Sequence, residues 1–323
     1  MKAYIGLDIG GTKILGVLYN EAHEPIARVK KKTKAASGKE AVLDQVHKVV
    51  GGLLEKARDQ HIEVDLQGIG AGCPGFIVEE STIVFTPNIP LKDFNLAEVM
   101  ESTYGVPFVL GNDVNVAMYG EWKASDMQAA KNVLGLFVGT GVGGAIIIDS
   151  HLYTGQGGAA EIGHMVVNPE GAICGCGSQG CLEAYASKTG IQKAIQAQIR
   201  KGRKSLLKDL MEADGPVVKS SSLAKAYEAG DSLAVEVLDR AAYYLGIAVA
   251  NLVNLFHPDL IILGGGMVES LGDALLPKIT EEASRHTLTG LVEGVRFRLS
   301  HLSDDAGVYG AYRLILDHLS QDA

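Results

Sequence analysis

The chain has little positive charge and little proline. It carries 29 Lys and Arg residues against 38 Asp and Glu residues among its 323, for a formal net charge of −9. Nonspecific binding to nucleic acid or to an anionic membrane needs a basic surface, so the charge balance argues against both partners. Only nine residues are proline, and no segment has the composition of a disordered or low-complexity region.

Long apolar runs are also lacking. None reaches the roughly 18 residues needed to span a bilayer, and the strongest candidate, residues 241–255, is interrupted by Tyr, Gly and Asn. The opening MKAYIGLDIGG contains no apolar segment followed by a small-residue cleavage site, so no secretory signal is predicted. We therefore expect a soluble cytoplasmic protein. The short basic run VKKKTK at residues 29–34 is interpreted as a solvated edge.

Cysteine is scarce too, yet three of the four cysteines fall close together as Cys174, Cys176 and Cys181. A reducing compartment argues against disulfides, a Cys174–Cys176 bridge would be strained, and no C-x-x-C redox pair is present. With His164 upstream, three thiolates and one imidazole make a closed tetrahedral set that suits structural zinc. The remaining Cys73 is interpreted as a small buried hydrophobe.

Glycine, in contrast, is abundant, at 40 of 323 residues. Such residues are expected to cluster where the backbone turns sharply or approaches a ligand. The clusters lie at residues 10–11, 70–75, 139–144, 155–163, 171–180 and 264–266.

Strand-like and helix-like segments alternate along the chain, which predicts an α/β fold. Strands are predicted at residues 3–9, 14–20, 25–33, 66–73, 107–112, 132–149 (with a glycine turn inside) and 259–264. Helices are predicted at residues 38–60, 95–104, 114–124, 188–201, 220–229, 231–257 and from 306. The helix at 231–257 could serve the core or a subunit interface.

Two strand–glycine-turn–strand units, at residues 3–20 and 132–149, suggest two similar lobes. We expect a small α/β lobe at residues 1–115, joined by a C-terminal helix at 310–323. The large α/β lobe, residues 116–309, would hold the zinc-binding loop.

The second glycine turn satisfies G-x-G-x-x-G at residues 139–144. A dinucleotide-binding motif requires a helix after it, and here the strand-like AIIID follows, so a Rossmann fold is rejected. The two matched glycine turns are either plain hairpins or phosphate sites whose N–H groups converge on oxygens. Asp8 precedes the first turn, where it could serve a Mg²⁺–nucleotide or merely initiate the turn.

Four motifs together resemble the ROK family of repressors, open reading frames and sugar kinases: LDIGGTK, VGTGVGG, AAEIGHM and CGCGSQGCLEAYAS. The resemblance covers almost the whole chain and is strongest to bacterial glucokinases. It implies a two-lobed actin-like, ribonuclease-H-like ATPase fold with the active site in the interlobe cleft. It also implies ATP-dependent phosphorylation of glucose at the 6-hydroxyl, in a homodimer or homotetramer.

The resemblance implies a role for each of several residues. Asp8 would orient Mg²⁺, and Lys13 would either assist at the phosphates or be solvated. ATP would lie against Gly10, Gly11, Thr12, Gly139, Thr140, Gly141, Gly264, Gly265 and Gly266. His164, Cys174, Cys176 and Cys181 would hold zinc.

The sugar site follows from the same resemblance. Asp113 would take the proton from the sugar's 6-hydroxyl, although its position after a strand also suits a helix N-cap. The other sugar contacts would be Asn112, Glu161, His164, Glu183, Gly75 and Asn88. The stretch PNIPLKDF departs from the PN…W pattern of many glucokinases, with Lys92 and Asp93 near the position of the Trp.

Two alternatives stay open at this point. A kinase for N-acetylmannosamine, N-acetylglucosamine or fructose would share the same site residues. A sugar-responsive repressor would carry an N-terminal helix-turn-helix domain, for which the early first hairpin leaves no room.

Overall fold

The structure is a computed structural model that describes residues 1–215 and 217–321. Within these residues the chain forms thirteen strands and ten α-helices. The strands are β1 (Lys2–Ile9), β2 (Lys13–Asn20), β3 (Pro25–Lys32), β4 (Asp65–Cys73), β5 (Phe76–Val78), β6 (Thr82–Phe85), β7 (Lys92–Asn95), β8 (Phe108–Asn112), β9 (Val133–Val138), β10 (Val142–Ile148), β11 (His151–Leu152), β12 (Leu260–Gly264) and β13 (Arg296–Leu299). The helices are α1 (Lys39–Asp59), α2 (Leu96–Tyr104), α3 (Asp113–Ala124), α4 (Glu183–Ala186), α5 (Lys188–Arg200), α6 (Leu207–Asp214), α7 (Ser220–Glu228), α8 (Ser232–Phe256), α9 (Gly266–His286) and α10 (Ala306–Gln321).

The chain divides into two compact units. Unit 1 contains residues 1–128, 152–159 and those from Leu302 onward, and unit 2 contains residues 129–151 and 160–301. Unit 1 therefore runs past the predicted lobe end at residue 115 and takes in all of α3. The predicted helix at 310–323 begins earlier, at Ala306, and residues 322 and 323 lie outside the described residues.

Close packing of α3 on α10 explains where unit 1 ends. A Cβ atom on Gly310 would overlap the carbonyl oxygen of Val116, and one on Gly120 would meet the Cα atom of Gly310 at 2.9 Å. The two helices thus cross backbone to backbone, which side chains at these two positions would prevent. A boundary at residue 115 would cut α3 away from this contact.

The sheet of unit 1 has the strand order β3-β2-β1-β4-β8. The first three strands form the predicted antiparallel meander, and β4 and β8 run parallel to β1. Helix α10 lies against one face, because Cβ atoms on Gly6 and Gly70 would overlap the carbonyl oxygens of Val308 and Ala311. Burial on both faces explains why β1 and β4 are almost wholly apolar.

Unit 2 repeats this sheet with the order β11-β10-β9-β12-β13. Strands β9 and β10 pair antiparallel around the second glycine turn, and β12 and β13 run parallel to β9. The two sheets have the same strand pattern, which confirms the predicted duplication of a strand–glycine-turn–strand unit. A strand, and not a helix, follows the G-x-G-x-x-G sequence, so rejection of the Rossmann fold is also confirmed.

Helix α8 supplies much of the core of unit 2, since most of its apolar residues are fully buried there. Its Asp231 side chain caps the helix by accepting hydrogen bonds from the N–H groups of Leu233 and Ala234, each at 3.0 Å. Near the other end Leu255 is 75% exposed. Searched over the described residues, none of the helices combines the length and the hydropathy that a membrane crossing requires.

Several elements of the fold have no counterpart in the sequence-based prediction, among them β11, β13, α4 and α6. Strands β5, β6 and β7 form a separate small sheet in unit 1. Helix α9 continues directly from the glycines that end β12.

Candidate active site

The first glycine turn joins β1 to β2 and is held from one side by Thr33. The N–H of Gly10 donates to the carbonyl of Lys13 at 2.9 Å, and the buried Thr33 hydroxyl donates to the Gly10 carbonyl at 2.5 Å. The Thr33 N–H donates to the carbonyl of Thr12 at 3.1 Å. Among the described residues the N–H groups of Gly11 and Thr12 have no acceptor, so they can serve a ligand.

Asp8 lies near the end of β1, where three parallel strands of unit 1 reach the same edge of the sheet. It is in register with Gly72 on β4, and Cys73, the next residue, is in register with Asn112 on β8. Asp8, predicted for magnesium, and Asn112, predicted for the sugar, therefore belong to one edge of this sheet. Cys73 is fully buried there, as predicted, and burial raises its pKa well above the usual range.

Burial and the carboxylate of Asp113 raise the pKa of Asp8 to about 6, although Lys13 opposes the shift. The two carboxylates are thus close enough to repel each other, and a bound cation would relieve that repulsion. Oxygen ligands of this kind suit Mg²⁺.

Asp8→Asn is expected to stabilise the ligand-free protein by about 1 to 3 kcal/mol at pH 8. The pKa of Asp8 is higher in the folded protein, about 6, than the value of 3.8 expected in the unfolded chain. The wild-type protein therefore loses folding stability as the pH rises from 3.8 to about 6. The loss is then constant at higher pH. Urea unfolding at pH 4 and pH 8 measures the effect, and a gain of equal size at both pH values would contradict it.

Lys13 forms an ion pair with Asp304, with the Nζ–Oδ1 distance at 3.1 Å. Its hydrogen bond lowers the pKa of Asp304. The sequence predicted either a solvated Lys13 or a Lys13 that assists at the phosphates. In the structure its ammonium is paired with Asp304, a residue of the same unit.

Asn112, and not Asp113, is the N-cap of α3. The Asn112 Oδ1 atom accepts hydrogen bonds from the N–H groups of Val114 and Asn115, at 3.0 and 3.2 Å. Its Nδ2 atom donates to the carbonyl of Gly75 at 3.0 Å. The alternative in which Asp113 caps the helix is therefore wrong, because the preceding residue does this.

Asp113 is the first residue of α3 and is half-buried. Its Oδ1 atom accepts a hydrogen bond from the N–H of Val114 at 2.9 Å. One carboxylate oxygen is oriented by the backbone in this way. A carboxylate is one of the groups that accept protons in general base catalysis.

Gly75 and Asn88 occupy the same edge of unit 1. Gly75 has a φ of 120°, and a Cβ atom there would overlap the Phe85 carbonyl oxygen, so only glycine fits. A Cβ atom on Gly11 would lie 3.1 Å from the Cβ atom of Asn88, so the loop that carries Asn88 touches the first glycine turn.

The second glycine turn, in unit 2, is held by the start of α5. The N–H of Lys188 donates to the carbonyl of Gly139 at 2.9 Å, and the Thr189 hydroxyl donates to the carbonyl of Thr140 at 2.8 Å. The N–H of Gly139 closes the turn onto the carbonyl of Gly141 at 2.9 Å.

The third glycine segment, residues 264–266, joins β12 to α9. Gly264 pairs with Phe137 beside the second turn. Gly265 has a φ of 88°, and a Cβ atom on it would lie 2.7 Å from the Val138 carbonyl oxygen. The segment therefore packs backbone to backbone on the end of β9, and glycine is required.

Glu161 and His164 lie on the same side of a short 3₁₀ turn, Ile162–His164. Side chains three residues apart eclipse in a 3₁₀ helix, and the Nε2 atom of His164 lies 4.0 Å from the Glu161 Oε2 atom. The spacing predicted a shared face, and the structure confirms it. Both side chains are accessible, at 67% and 39% exposure.

The other ring nitrogen of His164 belongs to the cysteine cluster. Its Nδ1 atom lies 3.8 Å from the Cys174 Sγ atom, and the Sγ atoms of Cys176 and Cys181 are also 3.8 Å apart. All four donor atoms lie within 4.8 Å of one another. Tetrahedral zinc with bonds of about 2.3 Å to sulfur needs sulfur–sulfur separations of about 3.75 Å. The four residues therefore fit such an ion.

The three thiols differ in acidity. Hydrogen bonds from the backbone and hydroxyl of Ser178 lower the pKa of Cys176 to about 6, whereas burial raises that of Cys181 to about 12. Burial also raises the pKa of Cys174. Because a zinc ligand is a thiolate, uptake of the metal is expected to release protons.

Glu183 links this cluster to the second glycine turn. Its Oε1 atom lies 3.8 Å from the Cys174 Sγ atom, and its Oε2 atom accepts a hydrogen bond from the N–H of Val142 at 2.9 Å. A Cβ atom on Gly141 would lie 2.5 Å from the same Oε2 atom. In unit 2 the contacts thus run without a break from Glu161 through the cluster to the glycine turn.

Sequence reasoning missed the residues that hold the two turns, Thr33 and Thr189, and the partner of Lys13. Thr33 follows the lysine run at the end of β3, and Thr189 follows the cysteine motif. Each forms its bond across a long sequence separation, so no local pattern marks it.

Comparison with known proteins gives concordant matches. A sequence model described as the ROK family matches residues 4–318. A glucokinase of Halalkalibacterium halodurans is 36% identical over 318 residues, which are 97% of this chain and 94% of the relative. The crystal structure of a ROK family glucokinase from Streptomyces griseus, in complex with glucose and AMPPNP, matches with a TM-score of 0.76 and 31% identity. That match covers 97% of this chain and 98% of the other.

Repressors match as well, at lower sequence identity, and a ROK family transcriptional regulator has a similar fold, with a TM-score of 0.88 at 24% identity. The xylose repressor of Caldicellulosiruptor bescii is 28% identical over 317 residues, which are 98% of this chain and 78% of the repressor. The glucokinases, in contrast, align over nearly their whole length.

Proposed function

The chain belongs to the ROK family, and from that membership we propose an ATP-dependent hexose kinase that phosphorylates glucose at its 6-hydroxyl. The observation that carries the proposal is the full-length similarity to the Streptomyces griseus glucokinase, whose crystal structure holds glucose and AMPPNP. The fold is the two-lobed actin-like ATPase fold of ROK sugar kinases, and the two sheets share one strand pattern.

Asp113 of unit 1 is the proton acceptor in this proposal. As a new bond forms between the sugar's O6 atom and the γ-phosphorus, the O6 proton passes to the Asp113 carboxylate. The bond from the γ-phosphorus to the bridging oxygen breaks, and ADP leaves with those electrons. Asn112 holds the start of α3, so it positions Asp113 besides contacting the sugar.

Unit 2 supplies the remaining polar contacts to the sugar. Sugar hydroxyls can form hydrogen bonds with the carboxylates of Glu161 and Glu183 and with the Nε2 atom of His164. Their neighbours orient them: the cysteine cluster holds the Nδ1 side of His164, and the Val142 N–H holds Glu183. Such preorganisation lowers the cost of binding a polar ligand.

The glycine segments are the proposed nucleotide site. The N–H groups of Gly11 and Thr12 in unit 1 can bind phosphate oxygens, and so can the segments 139–141 and 264–266 in unit 2. Asp8 would hold Mg²⁺, which neutralises charge on the phosphates. To bind a phosphate, the Lys13 ammonium would have to leave Asp304 or contact the carboxylate and the phosphate at the same time.

The cysteine cluster is the proposed zinc site, formed by His164, Cys174, Cys176 and Cys181. All four ligands come from the protein, and a closed set of this kind is structural. Zinc would therefore stabilise the loop and orient His164. The homodimer or homotetramer and the cytoplasmic location stay predictions.

A steady-state scan of sugars with ATP tests the proposal. Glucose is expected to give the highest kcat/KM among glucose, fructose, N-acetylmannosamine and N-acetylglucosamine. A higher kcat/KM for an N-acetylated sugar would support the kinase activity but would show that glucose is not the preferred substrate. No phosphorylation of any of these sugars, together with specific operator binding, would instead favour a repressor.

A further inference from the structure

Lys188, which the glycine motifs do not include, stands where two proposed nucleotide-binding segments of unit 2 meet. It is the first residue of α5 and is half-buried. Its backbone N–H donates to the carbonyl of Gly139 at 2.9 Å. The main chain of Lys188 is thereby attached to the second glycine turn.

The start of α5 is held firmly at this place. Ser187, which is 1% exposed, caps the helix by accepting a hydrogen bond from the N–H of Gly190 at 3.0 Å. The Thr189 hydroxyl donates to the carbonyl of Thr140 at 2.8 Å. Residues on both sides of Lys188 are therefore anchored, and only its side chain can rearrange.

The side chain of Lys188 reaches the other glycine segment. Its Nζ atom lies 3.9 Å from the position that a Cβ atom on Gly266 would occupy. Gly266 is the first residue of α9, a helix of 21 residues. The N–H groups of Val268 and Glu269 donate to the Gly265 carbonyl. Among the described residues, those of Gly266 and Met267 are therefore the ones left for a ligand. The ammonium and the start of α9 both carry positive charge, and they lie close together.

Glu269 is the acidic residue in the first turn of α9, but it is not an ion-pair partner of Lys188. Lys188 forms no ion pair within the described residues, whereas Lys13, the lysine of the first turn, is paired with Asp304. An ammonium without an ion pair, 3.9 Å from the Cβ position of Gly266 at the start of a long helix, indicates an anionic ligand.

We propose that the Lys188 ammonium binds a phosphate oxygen of the nucleotide, in ADP as well as in ATP. This inference rests on the proposed function, because it assigns a further residue to the same nucleotide site. Lys188 thus provides in unit 2 the phosphate-binding cation, and its position depends on Ser187 and Gly139.

The test compares Lys188→Gln with Lys201→Gln, an exposed lysine at the C-cap of the same helix. ADP binding is measured by isothermal titration calorimetry, and KM is measured for ATP and for glucose. Loss of one charge-assisted hydrogen bond should weaken ADP binding and raise the KM for ATP by about 10- to 100-fold. The KM for glucose and the melting temperature should change little, and Lys201→Gln should behave like wild type. Lys188→Arg should restore most of the ADP affinity.

Two failures can be told apart. If the wild-type protein binds ADP and phosphorylates glucose but Lys188→Gln binds ADP with unchanged affinity, this inference is wrong and the proposed function stands. If the wild-type protein binds no ADP, the proposed function itself fails. Equal losses in both glutamine variants would also overturn the inference, since the effect would then be one of general charge.

Discussion

Asp113→Asn is expected to lower kcat for glucose phosphorylation by about 10²- to 10⁴-fold, the usual contribution of a general base. The amide has nearly the same shape and can still accept the hydrogen bond that the Val114 N–H gives to Asp113. It cannot take up the O6 proton. The dissociation constant for glucose, measured by titration calorimetry, should therefore stay within a few-fold of the wild-type value.

The structure makes this prediction sharper because Asp113 does not cap its helix. Asn112 does so, with two hydrogen bonds from the first turn of α3. A loss of stability in Asp113→Asn is thus not expected, and because the substitution also removes the repulsion from Asp8, its melting temperature should be no lower than that of Asp59→Asn, an exposed control at the end of α1. Turnover within a few-fold of wild type would exclude the role of Asp113 as base.

Cys176→Ser is expected to lower the zinc content well below one ion per chain. It should also weaken glucose binding by about 10-fold or more. The hydroxyl that replaces the thiol is a far poorer zinc ligand. His164 and Glu183 each lie 3.8 Å from Cys174 in this cluster, so disorder in the loop would reach two proposed sugar contacts.

Elemental analysis and titration of glucose measure the two effects. Cys73→Ala is the matched control, because Cys73 is buried in unit 1 and takes no part in the cluster. It should keep a full zinc content. A Cys176→Ser protein with normal zinc content and normal glucose affinity would contradict both the ligand assignment and the link to the sugar site.

The local elements of the fold could be predicted because each is encoded in a short stretch. The Asn95 cap and the Gly105 terminus bracket α2, and both appear in the structure as the sequence indicates. The glycine turns are equally local. Helix α9 was not predicted, although its apolar residues recur at helical spacing, because its N-cap is Gly265, which has no capping side chain to mark the start.

In the candidate site, too, local patterns could be predicted from the sequence and long-range contacts could not. The motifs predicted which residue types take part, such as the cysteines and the pair Glu161 and His164. They did not predict that His164 divides its two ring nitrogens between the cluster and Glu161, because ring orientation depends on Cys174, ten residues away. Nor did they predict the Lys13–Asp304 pair, whose members are nearly the whole chain apart.

The sequence by itself determined the α/β class, the duplication, the two glycine hairpins and the three-cysteine cluster with its histidine. These follow from periodicity, turn chemistry and ligand spacing, which act over a few residues. Only the tertiary structure decided that Asn112 caps α3, that Glu183 holds both the cluster and a glycine turn, and that Lys188 reaches Gly266. The contacts of Glu183 with Val142 and of Lys188 with Gly266 arise from packing between distant segments, so no local pattern contains both partners. The cap of α3 is local, but Asn112 and Asp113 are both suitable capping residues, and only the backbone geometry decides between them.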